Sequence, residues 1–161
     1  MGCECDFLTH SDGHVSDLSS SGKAAKGGKL VIGTVSGPIN SILRGERVAL
    51  NILSRCSAVA TATAAARALA DANGWSHGRV AATRKTTPGF RFVEKFGVLV
   101  GGGDTHRMNL SHMIMLKDNH IDARGGSIPA AVAAALSVGG FATKVEVECR
   151  SLADAMSAAA A

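Results

Sequence analysis

Hydrophobic positions along the chain form a regular series of strand-like and helix-like runs from residue 30 onward. Leu30-Val31-Ile32-Gly33-Thr34-Val35 is short and β-branched, which predicts a strand. Ser36-Gly37-Pro38 turns the chain. Gly45 then precedes a helical pattern from Glu46 to about Ala70. Val48, Ala49, Ile52, Leu53, Cys56, Val59 and Ala60 recur at three- and four-residue spacing and make one apolar face. From Ala58 to Ala70 the residues are mostly Ala and Thr, small enough for another helix to approach closely. Cys56 lies on the apolar face and reads as a packing residue, since buried cysteines are usually inert. Asn73-Gly74 ends the helix.

Beyond Gly74 the pattern alternates. Val80 to Thr83 predicts a strand, and Pro88 opens a helix through Phe92, Val93 and Phe96 towards Val100. Met113 to Leu116 predicts a second strand. Ser127 begins a helix to Leu136 with Pro129 in its first turn, and Lys144 to Glu148 predicts a third strand. Ser151-Leu152-Ala153-Asp154 reads as a capping-box variant that starts a third helix. The order β-α-β-α-β-α predicts parallel strands joined by helical crossovers. Residues 1 to about 29 carry little pattern, and Ser19-Ser20-Ser21-Gly22 and Lys26-Gly27-Gly28 read as loop.

Charge sharpens this picture. From residue 84 to 117 there are six Lys or Arg (84, 85, 91, 95, 107, 117) against Glu94 and Asp104. Arg84 and Lys85 follow the first predicted strand of the repeating units, Lys117 follows the second, and Glu148 ends the third. Ligands of α/β folds bind at the carboxyl ends of parallel strands. Along the third strand Lys144, Glu146 and Glu148 share one face, and Val145 and Val147 the other. If the valines pack on helices, the charged trio faces inward, where charges are costly unless paired or liganded. Converging cations suit an anionic ligand: Arg a carboxylate or phosphate, Lys a pyrophosphate. A carboxylate among them suits a divalent metal bridging to phosphates, or a cationic transition state. Arg79, Arg91 and Lys95 read as surface residues, and His112 and His120 as structural ones.

Composition narrows the alternatives. The 161 residues are 46% hydrophobic and 19% charged, a globular balance of ordinary domain size. One Trp and no Tyr, with abundant Ala and Gly, favour helices packed on a sheet. The net charge of +4 is modest, and no basic run is interleaved with stacking aromatics, which counts against nucleic acid. Cys3, Cys5, Cys56 and Cys149 fit neither a disulfide framework nor zinc spacing, so Cys3 and Cys5 with His10 and His14 read as part of an irregular tail. No signal-peptide pattern and no long apolar run appear, so neither secretion nor a membrane partner is expected.

Five motifs then carry a resemblance. Gly45-Glu46-Arg47-Val48-Ala49-Leu50-Asn51, Thr83 to Gly89, His106-Arg107, Lys117-Asp118-Asn119-His120 and Lys144-Val145-Glu146-Val147-Glu148 resemble quinolinate phosphoribosyltransferases, in order and spacing, from about Gly28 onward. The resemblance implies the formation of nicotinate mononucleotide, carbon dioxide and pyrophosphate from quinolinate and phosphoribosyl pyrophosphate, with magnesium, in NAD biosynthesis. Carried over by motif, Arg84, His106, Arg107 and Lys117 would surround quinolinate, with Thr83 in the same binding loop. Lys85 and Lys117 would face the phosphates. Glu148 would stand near the ribose and the metal. Lys85, Lys117 and Glu148 are the implied catalytic residues. Arg47 would reach a neighbouring subunit's site in a dimer or a hexamer, and the compartment implied is the cytoplasm.

The implied fold class is α/β: the remnant of an N-terminal α/β domain, then about half of an open parallel α/β barrel. The expected segments are an irregular tail (1–25), the N-terminal remnant with its long helix (26–73) and a partial barrel (74–161). The family's later strand ending in Leu-Asp-Asn and its glycine-rich phosphate loop have no counterpart in these 161 residues. A partial chain, weakly stable and nearly inactive alone, is therefore expected. Two further readings stay open: a binding or regulatory subunit that pairs with a full-length copy, and a phosphoribosyltransferase for nicotinate or another aromatic acid.

Overall fold

A computed structural model describes residues 4–7, 32–75 and 77–161. The chain forms two compact units, Met1–His106 and Arg107–Ala161.

The first unit opens with an antiparallel pair, β1 (Glu4–Phe7) and β2 (Gly33–Ser36), in which Glu4 faces Ser36 and Phe7 faces Gly33. Two expectations change here. The strand lies at 33–36, whereas the pattern placed it at 30–35, and a strand occurs inside the stretch read as an irregular tail. Glu-Cys-Asp-Phe is too short and too polar to show a period, and only backbone pairing with β2 makes it a strand. Cys3, His10 and His14 lie outside the described residues, and of Cys5 only the backbone is described.

Pro38 then starts α1 (Ile39–Ala72), a single helix of 34 residues. It begins several residues before the expected Glu46 and runs through Gly45. One glycine costs a helix interior only about 1 kcal/mol, and a Cβ at Gly45 would meet nothing within 4 Å. The helix closes at Asn73 and at Gly74, whose φ of 73° lets Trp75 N–H return to the Ala70 carbonyl at 3.0 Å. By length and composition α1 is long and apolar enough to cross a bilayer, contrary to the expectation that no long apolar run occurs. Its small-residue stretch is instead packed against α2 (Arg91–Val100). A Cβ at Gly97 would stand 2.6 Å from the Cys56 carbonyl oxygen, and one at Gly101 would collide with the Ala60 carbonyl. The close approach anticipated for Ala58 to Ala70 thus has its partner in two glycines one turn apart.

Helix α2 starts three residues after Pro88. Gly89 adopts φ 77°, and Phe90 N–H bonds the Thr87 carbonyl at 2.9 Å, so 87–90 is a turn. The strand expected at 80–83 shrinks to one parallel bridge between Ala81 and Asp104. Thr83 and its successors leave the ladder because local bonds compete with it. Lys85 N–H donates to Thr83 Oγ1 at 3.1 Å and Thr86 N–H to the Arg84 carbonyl at 3.0 Å.

The second unit is a βαβα layer. Strands β3 (Ile114–Leu116) and β4 (Val145–Val147) pair in parallel, Leu116 beside Val147. Between them come α3 (Asp118–Asp122), a short helix the pattern did not reveal, and α4 (Ile128–Gly139). The last helix is α5 (Leu152–Ala159). Leu116, Ile128, Ala131, Val132 and Ala135 form the buried cluster, with Val145 and Val147 against it. The valines therefore do pack on the helical side of β4. Ser127 Oγ caps α4 by accepting Ala130 N–H at 3.3 Å. At α5 the box is shifted by one residue: Ser151 Oγ accepts Asp154 N–H, while Asp154 Oδ2 accepts Arg150 N–H, both at 3.1 Å.

Candidate active site

The residues singled out by sequence fall in both units. Arg47, Thr83, Arg84, Lys85 and His106 belong to the first unit, and Arg107, Lys117 and Glu148 to the second.

In the second unit the parallel ladder continues one step past Val147. Glu148 N–H donates to the Leu116 carbonyl at 2.9 Å. This sets Lys117 and Glu148 side by side at the carboxyl ends of β3 and β4, and Lys117 Nζ meets Glu148 Oε2 at 2.8 Å. Both side chains stay about half exposed, 43% and 50%. Lys117 also initiates α3, and its N–H donates to His120 Nδ1 at 3.0 Å, which bears out the structural reading of His120. His112 Nδ1 accepts Met108 N–H at 3.3 Å, an equally structural role. Arg107 is buried at 7% exposure.

The first unit repeats this logic. Ala82 N–H donates to the Asp104 carbonyl and Asp104 N–H to the Val80 carbonyl, both at 2.9 Å. The chain runs from this parallel bridge into Thr83-Arg84-Lys85 on one side and Thr105-His106 on the other. His106 is the one non-glycine residue with positive φ (51°) among the described residues. A left-handed backbone is uncommon outside glycine, and such strain gathers at functional sites. Asp104 Oδ1 accepts the His106 N–H at 2.7 Å and holds the turn. An open hollow of about 190 Å³ is lined by Thr83, Lys85, Thr86, Glu94 and Lys95, with Val59, Ala82 and Val98. Arg47 stands exposed on α1.

Two corrections concern α2. Lys95 is buried at 2% exposure, not on the surface, and its Nζ donates a short hydrogen bond to the Thr105 carbonyl. Burial pushes its pKa down, as do the cations Arg91 and Arg84, against the pull of Asp104. Arg91 also works inward: Nε donates to Thr86 Oγ1 and Nη2 to the Arg84 carbonyl, both at 3.1 Å. Glu94, buried at 7% exposure, accepts Arg55 Nε at 2.9 Å and Nη2 at 2.8 Å on Oε1, and Thr87 N–H at 3.3 Å on Oε2. The Thr87 hydrogen bonds and Arg55 hold its carboxyl below the ordinary range although burial opposes them. Arg55, Glu94 and Lys95 were missed as a set because isolated charges at helical spacing look like a solvated face. The available signal was that Arg91, Glu94 and Lys95 occupy one turn and a half of a helix that directly follows the cationic loop.

The model of the quinolinate phosphoribosyl transferase N-terminal domain matches residues 6–57, and that of the C-terminal domain matches residues 59–161. The chain belongs to the quinolinate phosphoribosyl transferase family. The family match begins at residue 6, inside the stretch that carried no resemblance by motif. The nicotinate-nucleotide pyrophosphorylase [carboxylating] of Homo sapiens is 54% identical over 140 residues, covering 84% of this chain and 46% of the relative. That of Rattus norvegicus is 53% identical with the same coverage. Among solved structures, NadC from Streptococcus pyogenes has a TM-score of 0.76 at 42% identity, over 98% of this chain and 51% of its own. The chain thus spans about half the length of the curated relatives it matches.

No group of three or more His, Cys, Asp or Glu able to cage a metal occurs among the described residues. Magnesium is commonly held by one or two carboxylates plus phosphate oxygens. The half-exposed carboxylate of Glu148 fits that sharing.

Proposed function

We propose that these residues take part in phosphoribosyl transfer to quinolinate with decarboxylation, the step that yields nicotinate mononucleotide in NAD biosynthesis. The observation that carries the reading is the Lys117–Glu148 pair at adjacent parallel strand ends, in a chain of this family. Quinolinate presents two neighbouring ring carboxylates, and the family resemblance assigns to it, as cationic and hydrogen-bonding groups, Arg84 and His106 of the first unit and Arg107 and Lys117 of the second, with Thr83 in the same loop as Arg84. Lys85 and Lys117 neutralise the phosphates. As the bond from the ribose anomeric carbon to pyrophosphate breaks, positive charge grows on the sugar, and the Glu148 carboxylate stabilises it. Magnesium, when bound, supplies further charge neutralisation to the departing pyrophosphate. The ring nitrogen forms the new bond to the anomeric carbon and becomes cationic. The adjacent carboxylate then leaves as carbon dioxide, its electron pair drawn towards the ring nitrogen, and the carbon takes up a proton. Arg47, exposed on α1, completes the site of a second copy in a homo-oligomer, and the reaction belongs to the cytoplasm.

The test is a chimera in which residues 28–161 replace the matching segment of the Streptococcus pyogenes relative. It releases pyrophosphate and carbon dioxide with quinolinate, and not with nicotinate in its place. Equal turnover of nicotinate would assign the site to another aromatic acid, and no turnover of either would overturn the reading.

A further inference from the structure

We propose that Arg91, Glu94 and Lys95 form a positioning mount: one segment of α2 that fixes both the Arg84-Lys85 loop and the turn bearing His106. The proposal rests on the reading of Arg84, Lys85 and His106 as substrate-binding residues. It concerns how they are held.

The geometry is specific. Arg91 Nη2 takes the carbonyl of Arg84, and its Nε the hydroxyl of Thr86, both at 3.1 Å. Glu94 Oε2 takes the Thr87 N–H at 3.3 Å. The loop from 84 to 87 is therefore fastened at its start, middle and end by two side chains from the first turn of one helix. Arg55, reaching from α1, fixes Glu94 through two bonds to Oε1. One residue further along α2, Lys95 reaches the Thr105 carbonyl. That carbonyl immediately precedes the left-handed His106.

A buried ammonium is costly, and a burial as complete as that of Lys95 persists where its hydrogen bond secures something. The Thr105 bond secures a backbone position that a histidine does not adopt by preference. The Arg84-Lys85 loop has the same need. Its internal bonds, Thr86 N–H to the Arg84 carbonyl and Lys85 N–H to Thr83 Oγ1, span two residues each and cannot alone hold two cations in place. A site that must grip adjacent carboxylates gains from cations fixed before the ligand arrives. Helix α2 itself packs closely on α1 through Gly97 and Gly101, so the mount is tied to a second helix.

The experiment is amide hydrogen exchange on the 161-residue chain and on the Glu94→Gln, Arg91→Lys and Lys95→Met variants. Quinolinate binding by the chimera is measured alongside by calorimetry. Glu94→Gln and Arg91→Lys are expected to speed exchange at 84–87 by about tenfold, the weight of one charge-assisted bond, with α1 and α4 unchanged. Lys95→Met is expected to do the same at 104–107. If Lys95→Met does not fold, the two variants that keep the buried cation decide the matter. Uniform loss of protection along the chain, or none at 84–87, overturns the mount. Failure of the unaltered chimera to bind quinolinate counts against the functional reading alone, because the exchange readout needs no ligand.

Discussion

Glu148 N–H bonds the carbonyl of Leu116, and this one ladder step past β4 brings the Glu148 carboxylate to 2.8 Å from Lys117 Nζ. The two residues are 31 positions apart in sequence, and parallel register makes them neighbours. An exposed ion pair of this kind stabilises a fold by roughly 0–1 kcal/mol. Lys117→Met is therefore expected to leave the denaturation midpoint nearly unchanged. In the chimera the same change is expected to lower kcat/KM for quinolinate by roughly a hundredfold or more, the scale seen when a group stabilising transition-state charge is removed. Paired chemical denaturation and steady-state kinetics check both halves.

The strained turn at His106 separates stability from activity in the opposite direction. Replacing His106 by Gly relieves the φ of 51° and is expected to stabilise the first unit by up to about 1 kcal/mol. Quinolinate turnover by the chimera is expected to collapse with it. A variant that loses both stability and turnover would deny the strain its functional meaning.

Packing of α2 on α1 yields a third contrast. Gly97→Ala drives a methyl against the Cys56 carbonyl oxygen 2.6 Å away, and such overpacking costs about 1–3 kcal/mol. Gly45→Ala, in open space on α1, is expected to stabilise by about 0.5–1 kcal/mol through helix propensity. Urea melts of the two variants measure the difference and its sign.

The pH dependence of stability follows from Glu94 and Lys95. Glu94 has a folded pKa below its ordinary 4.5, so near and below that value the unfolded chain binds the extra proton. Its contribution is present above pH 4.5 and is lost as pH falls through the folded pKa. Lys95 has a folded pKa below its ordinary 10.5. Between the two values the unfolded chain again holds the extra proton, and stability rises with pH. Glu94→Gln is expected to flatten the acid limb, and Lys95→Met the alkaline one, in denaturation midpoints measured across pH.

Much of this protein was legible along the chain. The three- and four-residue spacing of Val48, Ile52 and Val59 marked α1, the Ser127 and Ser151 caps marked α4 and α5, and the alternation of Val145 and Val147 with Glu146 and Glu148 gave the face of β4 that packs on helices. These features come from neighbours in sequence, so local chemistry reveals them. The motifs that carried the family likeness were local too, and the family match bears them out. What escaped was decided by residues far apart. Strand β1 exists through pairing with β2. The strand at 80–83 narrowed to a bridge because its partner, Asp104, offers a single ladder position. Lys95 reads as a surface residue because a charged residue on a helix usually stays in water, and the Thr105 carbonyl, ten residues on, together with the pull of Asp104, makes its burial tolerable. Periodicity and caps reside in the sequence, whereas burial and pairing depend on which distant groups come within hydrogen-bonding distance, and folding in three dimensions alone selects those.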